Sequence, residues 1–255
     1  MVNELVLNIN RVSFSYNSEV IFDNINLTVH EREFVWIVGP NGGGKTTLMK
    51  IILGLLTPSG GSVEIFGTSP LKARSRIGYM PQHAYLDQRF PITVLEIILM
   101  GQLKKGIKAG LFSSRDRRAA FETLELIGMS DLSGRPFGEL SGGQQRRLLI
   151  GRALVAKPDM LLLDEPMANL DRRIEKELYD LLRRLNQNLT IIMISHDPAF
   201  VSEFVEQVVC VNRKVVIHPT AIMEREFIGE LYGSGMRVVR HDQHHHDDDK
   251  TQGNR

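Results

Sequence analysis

The glycine-rich stretch GPNGGGKTT, residues 39–47, constrains the fold of this chain more than any other part of its sequence. Its glycines let the backbone curl so that successive N–H groups point inward, where a side chain would collide with a bound anion. Residues 34–38 are apolar and predict a buried strand, and residues 48–53 have the apolar spacing of a helix. A helix that begins on such a loop favours negative charge at its first turn. The stretch therefore predicts a strand, a loop and a helix that together hold phosphate groups.

The same stretch fits the Walker A pattern of a glycine, four free positions and then Gly-Lys-Thr. Lys45 can reach the β- and γ-phosphates of a nucleotide as a point charge, and the Thr46 hydroxyl can ligate Mg²⁺. The alternative is a glycine-rich turn without this chemistry, and the flanking strand and helix argue against it. We therefore expect a nucleoside triphosphate to bind here with Mg²⁺. The residues expected to contact it are Gly39, Pro40, Asn41, Gly42, Gly43, Gly44, Lys45, Thr46 and Thr47.

The composition is that of an ordinary globular protein. The chain has 255 residues, of which 42% are apolar and 24% charged, and its net charge of +1 gives no indication of a nucleic-acid partner. Its single cysteine, Cys210, lies in an apolar run and predicts inert core in a reducing compartment. No apolar run approaches the ~20 residues that span a bilayer, and the first residues do not resemble a signal peptide. We expect a cytoplasmic protein that reaches a membrane only through another protein.

Strand-like and helical segments alternate along most of the chain. Strands are predicted at residues 5–14, 20–29, 34–38, 63–66, 76–80, 159–164 and 189–195. From residue 90 to about 156 helical spacing replaces the strand pattern. Helices are predicted there at residues 94–100, 117–127 and 145–155, and another at 172–186. The alternation predicts an α/β fold with a parallel or mixed sheet, an antiparallel β element at its N-terminal edge and a helical insertion.

The last twenty residues differ from the rest. The run from His241 to Lys250 is rich in histidine and aspartate and almost without apolar side chains, so residues 236–255 are predicted to be a disordered tail. Such a density of imidazoles and carboxylates could bind Zn²⁺ loosely. A solvated tail and a residual cleavage tag are the alternatives, since acidic residues that end in lysine resemble a protease site.

An acidic pair ends the apolar strand predicted at residues 159–164. In a protein with a phosphate-binding loop, Asp164 is placed to hold Mg²⁺ and Glu165 to orient and deprotonate the attacking water. His196 ends the next strand and is placed to contact the γ-phosphate or to position the Glu165–water pair, and a purely structural histidine is the alternative. Gln82, at the end of an earlier strand, could touch Mg²⁺ or the water, and Tyr16 could stack on a nucleobase. For the last two, a solvated glutamine and a tyrosine that only packs are the alternatives.

The segment LSGGQ, residues 140–144, predicts a second anion-binding helix start. Two phosphate sites on one chain are redundant if both serve one nucleotide. They are explained if Ser141, Gly142, Gly143 and Gln144 cap the nucleotide of a second copy. An ordinary serine N-cap followed by glycines remains the alternative.

These motifs, in this order, resemble the nucleotide-binding domain of ABC transporters over residues 5–232. The resemblance implies a P-loop NTPase core of ABC type in residues 1–235, with a helical subdomain at about 90–156. It implies Tyr16 as the adenine platform, Gln82 as the Q-loop glutamine, His196 as the switch histidine and Asp171 as the D-loop aspartate at a dimer interface. Two departures touch no group that does chemistry: Gly43 replaces a common serine, and Met167 and Asn169 replace smaller residues.

Within that family, residues 77–82, 90–94 and 99–101 look like the ATPase subunits of bacterial zinc and manganese importers. This implies an ATPase on the cytoplasmic face of the inner membrane that uses ATP and Mg²⁺ and works as a head-to-tail dimer. Its partner is an integral-membrane permease, a metal-binding protein is engaged only indirectly, and no nucleic acid is bound.

Two other functional classes remain as alternatives to a transporter subunit. A soluble ABC ATPase acting on ribosomes or DNA usually has two cassettes or long coiled-coil arms, which this chain lacks. A small-molecule kinase or GTPase needs the Walker A motif alone, and the LSGGQ segment argues against it.

Overall fold

The structure, a computed structural model, describes residues 4–82, 90–102, 112–195 and 205–219. Its strands there are β1 (Leu5–Tyr16), β2 (Glu19–His30), β3 (Phe34–Val38), β4 (Gly60–Ile65), β5 (Ile77–Met80), β6 (Met160–Asp164), β7 (Thr190–Ile194), β8 (Gln207–Asn212) and β9 (Lys214–Pro219). Its α-helices are α1 (Lys45–Ile52), α2 (Pro70–Ala73), α3 (Val94–Met100), α4 (Ser114–Leu126), α5 (Gly142–Leu154) and α6 (Arg172–Asn186). Within these ranges, no helix has both the length and the apolar character that crossing a membrane requires.

The N-terminal strands form a separate antiparallel sheet, which confirms the predicted β element. β1 pairs with β2 on one side and β4 on the other, in the order β2-β1-β4. Leu7 and Ile9 are buried whereas Asn10 is exposed, because alternate side chains of a strand point to opposite faces. The buried face joins one hydrophobic cluster with Met49 and Ile52 of α1. This sheet therefore packs against the helix that follows the glycine-rich loop.

The larger sheet has the order β5-β6-β7-β3-β8-β9 and is parallel except for β9. All five residues of β3, β6 and β7 are buried, as expected of apolar strands covered on both faces. Phe34 and Trp36 belong to the cluster on one face, Val35 and Ile37 to the cluster on the other. Since β3, β5, β6 and β7 run parallel, the segments that follow them meet at one edge of the sheet, where ligands of open α/β sheets bind.

Helices α3, α4 and α5 pack against one another and share the hydrophobic cluster that includes Trp36. Each begins with a capping box, in which the N-cap and N3 side chains satisfy each other's backbone N–H groups. The N-cap residues are Thr93, Ser113 and Ser141. The predicted start of α3 is confirmed, but α4 and α5 begin three residues before their predicted starts, because the capping boxes extend these helices beyond their apolar pattern.

The hairpin of β8 and β9 closes one edge of the larger sheet, and β9 was not predicted. Cys210 lies in β8 beside Val38 and is buried, which confirms it as core. Burial raises the pKa of its thiol to about 12, so the reactive thiolate is scarce at neutral pH. The tight turn between the strands places Arg213 at a φ of 56°.

Candidate nucleotide-binding site

The glycine-rich loop joins β3 to α1, as predicted. Gly42 and Gly44 adopt φ values of 77° and 107°, which L side chains rarely adopt. Gly44 is the N-cap of α1 and, as a glycine, offers no side chain to the first helical turn. The first intrahelical bond runs from the Leu48 N–H to the Gly44 carbonyl at 2.8 Å. The N–H groups of the first helical turn therefore point along the axis toward the loop, the arrangement that binds anions at helix N-termini.

Lys45 folds back over this loop. Its side chain is buried, and Nζ donates to the Gly39 carbonyl at 2.7 Å and to the Pro40 carbonyl at 3.0 Å. Desolvation lowers the pKa of Lys45, and the carboxylates of Glu165 and Asp164 act in the opposite direction. The ammonium group therefore lies in the field of both predicted acidic residues. A phosphate oxygen that displaced the two carbonyls would accept hydrogen bonds from the Lys45 ammonium in their place. Its negative charge would compensate the charge of the ammonium more fully than the neutral carbonyls do.

The β8–β9 hairpin packs directly against the glycine-rich loop. A Cβ atom on Gly39 would lie 2.0 Å from the Val211 carbonyl oxygen, and one on Gly43 would lie 2.7 Å from the same oxygen. The Arg213 N–H also donates to the Gly43 carbonyl at 3.1 Å. A Cβ on Gly44 would meet the Phe22 ring at 2.7 Å. These glycines are thus required by packing within the chain as well as by the loop's curvature.

Gly43→Ala is expected to weaken ATP binding and to lower stability. The added methyl would overlap the Val211 and Pro40 carbonyls, so the loop or the hairpin must shift, at a cost of about 1–3 kcal/mol. We expect a lower Tm in thermal unfolding, by ~2–4 °C for each kcal/mol, and a higher Kd for ATP in titration calorimetry.

Gly134→Ala is the matched control for Gly43→Ala, because a Cβ at Gly134 would meet nothing within 4 Å in the described part of the chain. That variant is expected to melt and bind as the wild type does. Equal behaviour of the two variants would contradict the packing role assigned to Val211.

The acidic pair and the glutamine meet at the edge of the sheet. Asp164 is buried at the end of β6, and Glu165 follows it with a φ of 50° and a half-buried side chain. The Glu165 N–H donates to the Ile194 carbonyl at 3.0 Å, which ties it to β7. Gln82, after β5, donates from Nε2 to Glu165 Oε2 at 2.6 Å. The structure thus joins Gln82 directly to Glu165, and both acidic residues act electrostatically on Lys45.

The donors near Lys45 suit a magnesium ion. Thr46, Gln82 and Asp164 offer a hydroxyl, an amide carbonyl and a carboxylate, which are the hard oxygen ligands that Mg²⁺ prefers. Within the described ranges, no group of three or more His, Cys, Asp or Glu residues could hold a metal ion. Mg²⁺ keeps several waters and takes only one or two carboxylates besides substrate phosphates, which donors of the kind of Thr46, Gln82 and Asp164 can supply.

Tyr16 lies on the β1–β2 hairpin, with 42% of its surface exposed. Its ring and that of Phe14 pack in a T-shaped arrangement, with the ring centroids 4.9 Å apart. The hairpin is linked to the phosphate loop through Arg213, whose guanidinium pairs with Glu19 at 3.2 Å while its N–H bonds to Gly43. The predicted base platform therefore belongs to the same region as the loop.

The LSGGQ turn forms the N-terminus of α5. The Ser141 side chain accepts from the Gln144 N–H at 3.3 Å, and Gln144 Oε1 accepts from the Ser141 N–H at 2.9 Å. A Cβ on Gly143 would lie 2.4 Å from Ile174 of α6, so packing requires this glycine. Gly142 is exposed, and in the described part of the chain nothing lies within 4 Å of a Cβ placed there.

Asp171 has a local role that the sequence reading did not assign. It is the N-cap of α6, and its side chain accepts from the Ile174 N–H at 3.0 Å. The expected role at a dimer interface is compatible with this cap, because the other carboxylate oxygen is not used by it. His196 and the tail at residues 236–255 lie outside the described residues.

Arg146, in the second turn of α5, is a site residue that the sequence reading missed. Its Nη1 donates to the Gln82 carbonyl at 3.1 Å. Burial lowers its pKa, and the Glu165 carboxylate acts in the opposite direction. A signal was available, because Arg146 shares a helical face with the buried Gly143 and Ile150, where a charged residue calls for a specific partner.

Comparison with known proteins identifies the family. The family model described as ABC transporter matches residues 22–168, more than half of the chain. The zinc import ATP-binding protein ZnuC of Pseudomonas syringae pv. syringae is 35% identical over 250 residues, which are 96% of this chain and 89% of that protein. A probable metal transport system ATP-binding protein of Chlamydia trachomatis is 43% identical over 188 residues, covering 73% of this chain and 79% of that protein.

Solved structures agree with the fold. CbiO1 from Clostridium perfringens, part of the ABC transporter complex cbiONQ, has a TM-score of 0.76 and is 26% identical, covering 89% of this chain and 94% of that one. An ATP-binding cassette of an ABC transporter in its ADP conformation has a TM-score of 0.80 at 23% identity, which shows the fold alone; the match covers 89% of this chain and 98% of that one. The predicted P-loop NTPase core of ABC type is confirmed, and the chain belongs to the ABC transporter family as an ATP-binding ATPase subunit.

Proposed function

We propose that this ATPase powers the import of a divalent metal ion, zinc or manganese, through a membrane permease. The observation that carries the proposal is the likeness to a zinc import ATP-binding protein over 96% of the chain. The metal transport relative supports the same substrate class. The ion is cargo of the permease and does not bind at the nucleotide site.

In this proposal, residues 1–235 are one ATPase domain, with the helical subdomain inserted at about 90–156 and a tail after it. The domain lies peripherally on the cytoplasmic face of the membrane and is held there by the permease. A periplasmic or extracellular metal-binding protein delivers the ion to the permease and does not touch this chain. The packing of α3, α4 and α5 on one another supports the helical subdomain as a unit.

The roles at the nucleotide follow from the donors. Mg²⁺, when bound, neutralises charge on the β- and γ-phosphates, and Thr46, Gln82 and Asp164 would hold it. Glu165 orients a water and takes its proton, while His196 contacts the γ-phosphate. The electrostatic effect of the Asp164 and Glu165 carboxylates on the pKa of Lys45, which they raise against the effect of burial, supports this assignment.

A second copy completes the site in this proposal. Each ATP lies between Lys45 of one copy and the Ser141–Gln144 turn of the other, and Asp171 crosses the interface. The exposed Gly142 supports the arrangement, because packing within the described chain does not explain a glycine there, whereas close approach of a phosphate does. ATP touches both copies and favours the closed dimer, and hydrolysis removes that bridge.

Co-purification tests the transporter assignment. The tagged full chain, expressed in its own cells, is solubilised with membranes in mild detergent and its partners are identified by mass spectrometry. We expect a polytopic membrane protein in stoichiometric amount. Uptake of radioactive Zn²⁺ and Mn²⁺ is then compared between cells that carry the wild-type chain and cells that carry only Lys45→Ala.

Each outcome of these two measurements is decisive for one part of the proposal. Loss of uptake of either ion in the Lys45→Ala cells supports metal import. Recovery of ribosomal proteins or DNA in place of a permease would favour a soluble ABC ATPase. Recovery of a permease together with normal uptake of both ions in the Lys45→Ala cells would support a transporter subunit but contradict the proposed metal cargo.

A further inference from the structure

Gln82 is held at both its main chain and its side chain. Its carbonyl accepts from Arg146 Nη1 at 3.1 Å, and its side-chain Nε2 donates to Glu165 Oε2 at 2.6 Å. Arg146 belongs to α5, whose first turn is the LSGGQ segment. A continuous line of contacts therefore runs from that helix through Gln82 to the residue proposed as the general base.

This arrangement restrains both groups in a contact that hydrolysis does not use. The Glu165 oxygen that accepts from Gln82 cannot at the same time take the proton of a water through the same lone pair. The Gln82 amide, whose Oε1 is proposed to ligate Mg²⁺, is oriented by the bond from its Nε2 to the carboxylate. Each group therefore limits the rotation of the other, and separation of the pair frees Glu165 Oε2 for a water and lets the Gln82 amide turn toward the ion.

Arg146 fixes this pair from one side. Its guanidinium is half-buried and remains charged, since arginine does not lose its proton in proteins. The interaction of Arg146 with the Glu165 carboxylate adds an electrostatic tie to the hydrogen bond at Gln82. With its carbonyl held, Gln82 stays within hydrogen-bonding distance of Glu165.

We propose that Arg146 is a positioning residue that acts as a brake: it keeps Gln82 on Glu165 until α5 moves. The inference rests on the proposed function, in which the Ser141 turn of α5 engages the nucleotide of a second copy. Because Ser141 and Arg146 lie on the same helix, that engagement shifts the guanidinium relative to Gln82. The pair then opens, and hydrolysis is confined to the assembled dimer.

Arg146→Met is expected to raise the basal ATPase rate of the purified chain, measured without permease, by about fivefold, the factor that one hydrogen bond contributes. The Kd for ATP is expected to stay unchanged. Arg146→Lys keeps the charge and loses the planar fork, so its basal rate should lie between those of the wild type and Arg146→Met. A residue with a merely structural role would lower the rate and the Tm together.

The control is Arg147→Met, which removes the neighbouring arginine on the same helix and its ion pair with Glu177 at 3.0 Å, without touching Gln82. Its basal rate is expected to equal that of the wild type. Unchanged or lower rates in both Arg146 variants, with an active wild type, would overturn the brake and leave the ATPase assignment intact. A wild-type chain that hydrolyses no ATP, alone or with permease, would instead overturn the proposed function.

Discussion

Glu165→Gln is expected to bind ATP with nearly the affinity of the wild type and to hydrolyse it about 10²–10⁴-fold more slowly, the range that a general base contributes. The substitution keeps the shape of the side chain but removes the carboxylate that takes the proton of water. The main-chain bond from the Glu165 N–H to the Ile194 carbonyl is preserved, so the segment after β6 should keep its place. Phosphate release under saturating ATP measures the rate, and calorimetry measures the affinity.

The same variant is expected to accumulate as a dimer with ATP. Because the bridge of two nucleotides is not hydrolysed, mass action holds the two copies together. Gel filtration with MgATP should show about twice the mass seen without nucleotide. A strictly monomeric variant with bound ATP would contradict the dimer.

Glu122→Gln is the control for the same chemical change away from the site. Glu122 lies on α4 and pairs with Lys157 at 3.1 Å, and both side chains are exposed. An exposed pair of this kind contributes about 0–1 kcal/mol, so the rate and the oligomeric state are expected to stay as in the wild type.

Lys45→Ala is expected to weaken ATP binding severely, with an increase in Kd of about a hundredfold, consistent with the loss of hydrogen bonds to a charged group. The change removes the point charge that reaches the β- and γ-phosphates. It also removes the buried Nζ that joins the Gly39 and Pro40 carbonyls, so the loop loses a tie even without nucleotide. Titration with a fluorescent ATP analogue gives the affinity.

Lys50→Ala is the control for Lys45→Ala, because Lys50 lies on the same helix and is exposed. Its affinity for ATP is expected to match the wild type. Wild-type affinity in Lys45→Ala would place the nucleotide somewhere other than the glycine-rich loop, and the proposed site would have to be abandoned.

Sequence reading predicted the elements of the fold where the local pattern was strong. The apolar runs of β3, β6 and β7 and the spacing of α6 determine their own type, and the structure confirms them. Helix starts were less predictable, because the capping boxes at Ser113 and Ser141 add a polar turn before the apolar pattern begins. β9 was missed, since an edge strand with exposed side chains lacks the alternation of a buried one.

The residues of the candidate site also differ in how well the sequence predicts them. Lys45, Asp164 and Glu165 could be predicted, because each lies in a short motif whose chemistry is readable from neighbouring residues. For Arg146 the sequence indicates that a partner is needed but not which one, and for Val211 it indicates no role, because both roles depend on contacts with Gln82 and Gly43 that join distant parts of the chain. Such contacts follow from the order of the strands in the sheet, which local spacing does not specify.

The position of β3 in the larger sheet has a consequence for biosynthesis. This strand carries the glycine-rich loop, yet its neighbours β7 and β8 both come from the last third of the chain. A polypeptide emerging from the ribosome therefore exposes β3 without its lateral partners until β7 and β8 have also been synthesised. The carbonyl of Val211, against which the loop rests, is part of β8 and is added with that strand. Nascent chains that stop before the β8–β9 hairpin should accordingly not bind ATP. The cell therefore acquires a working ATPase only after this hairpin has been synthesised.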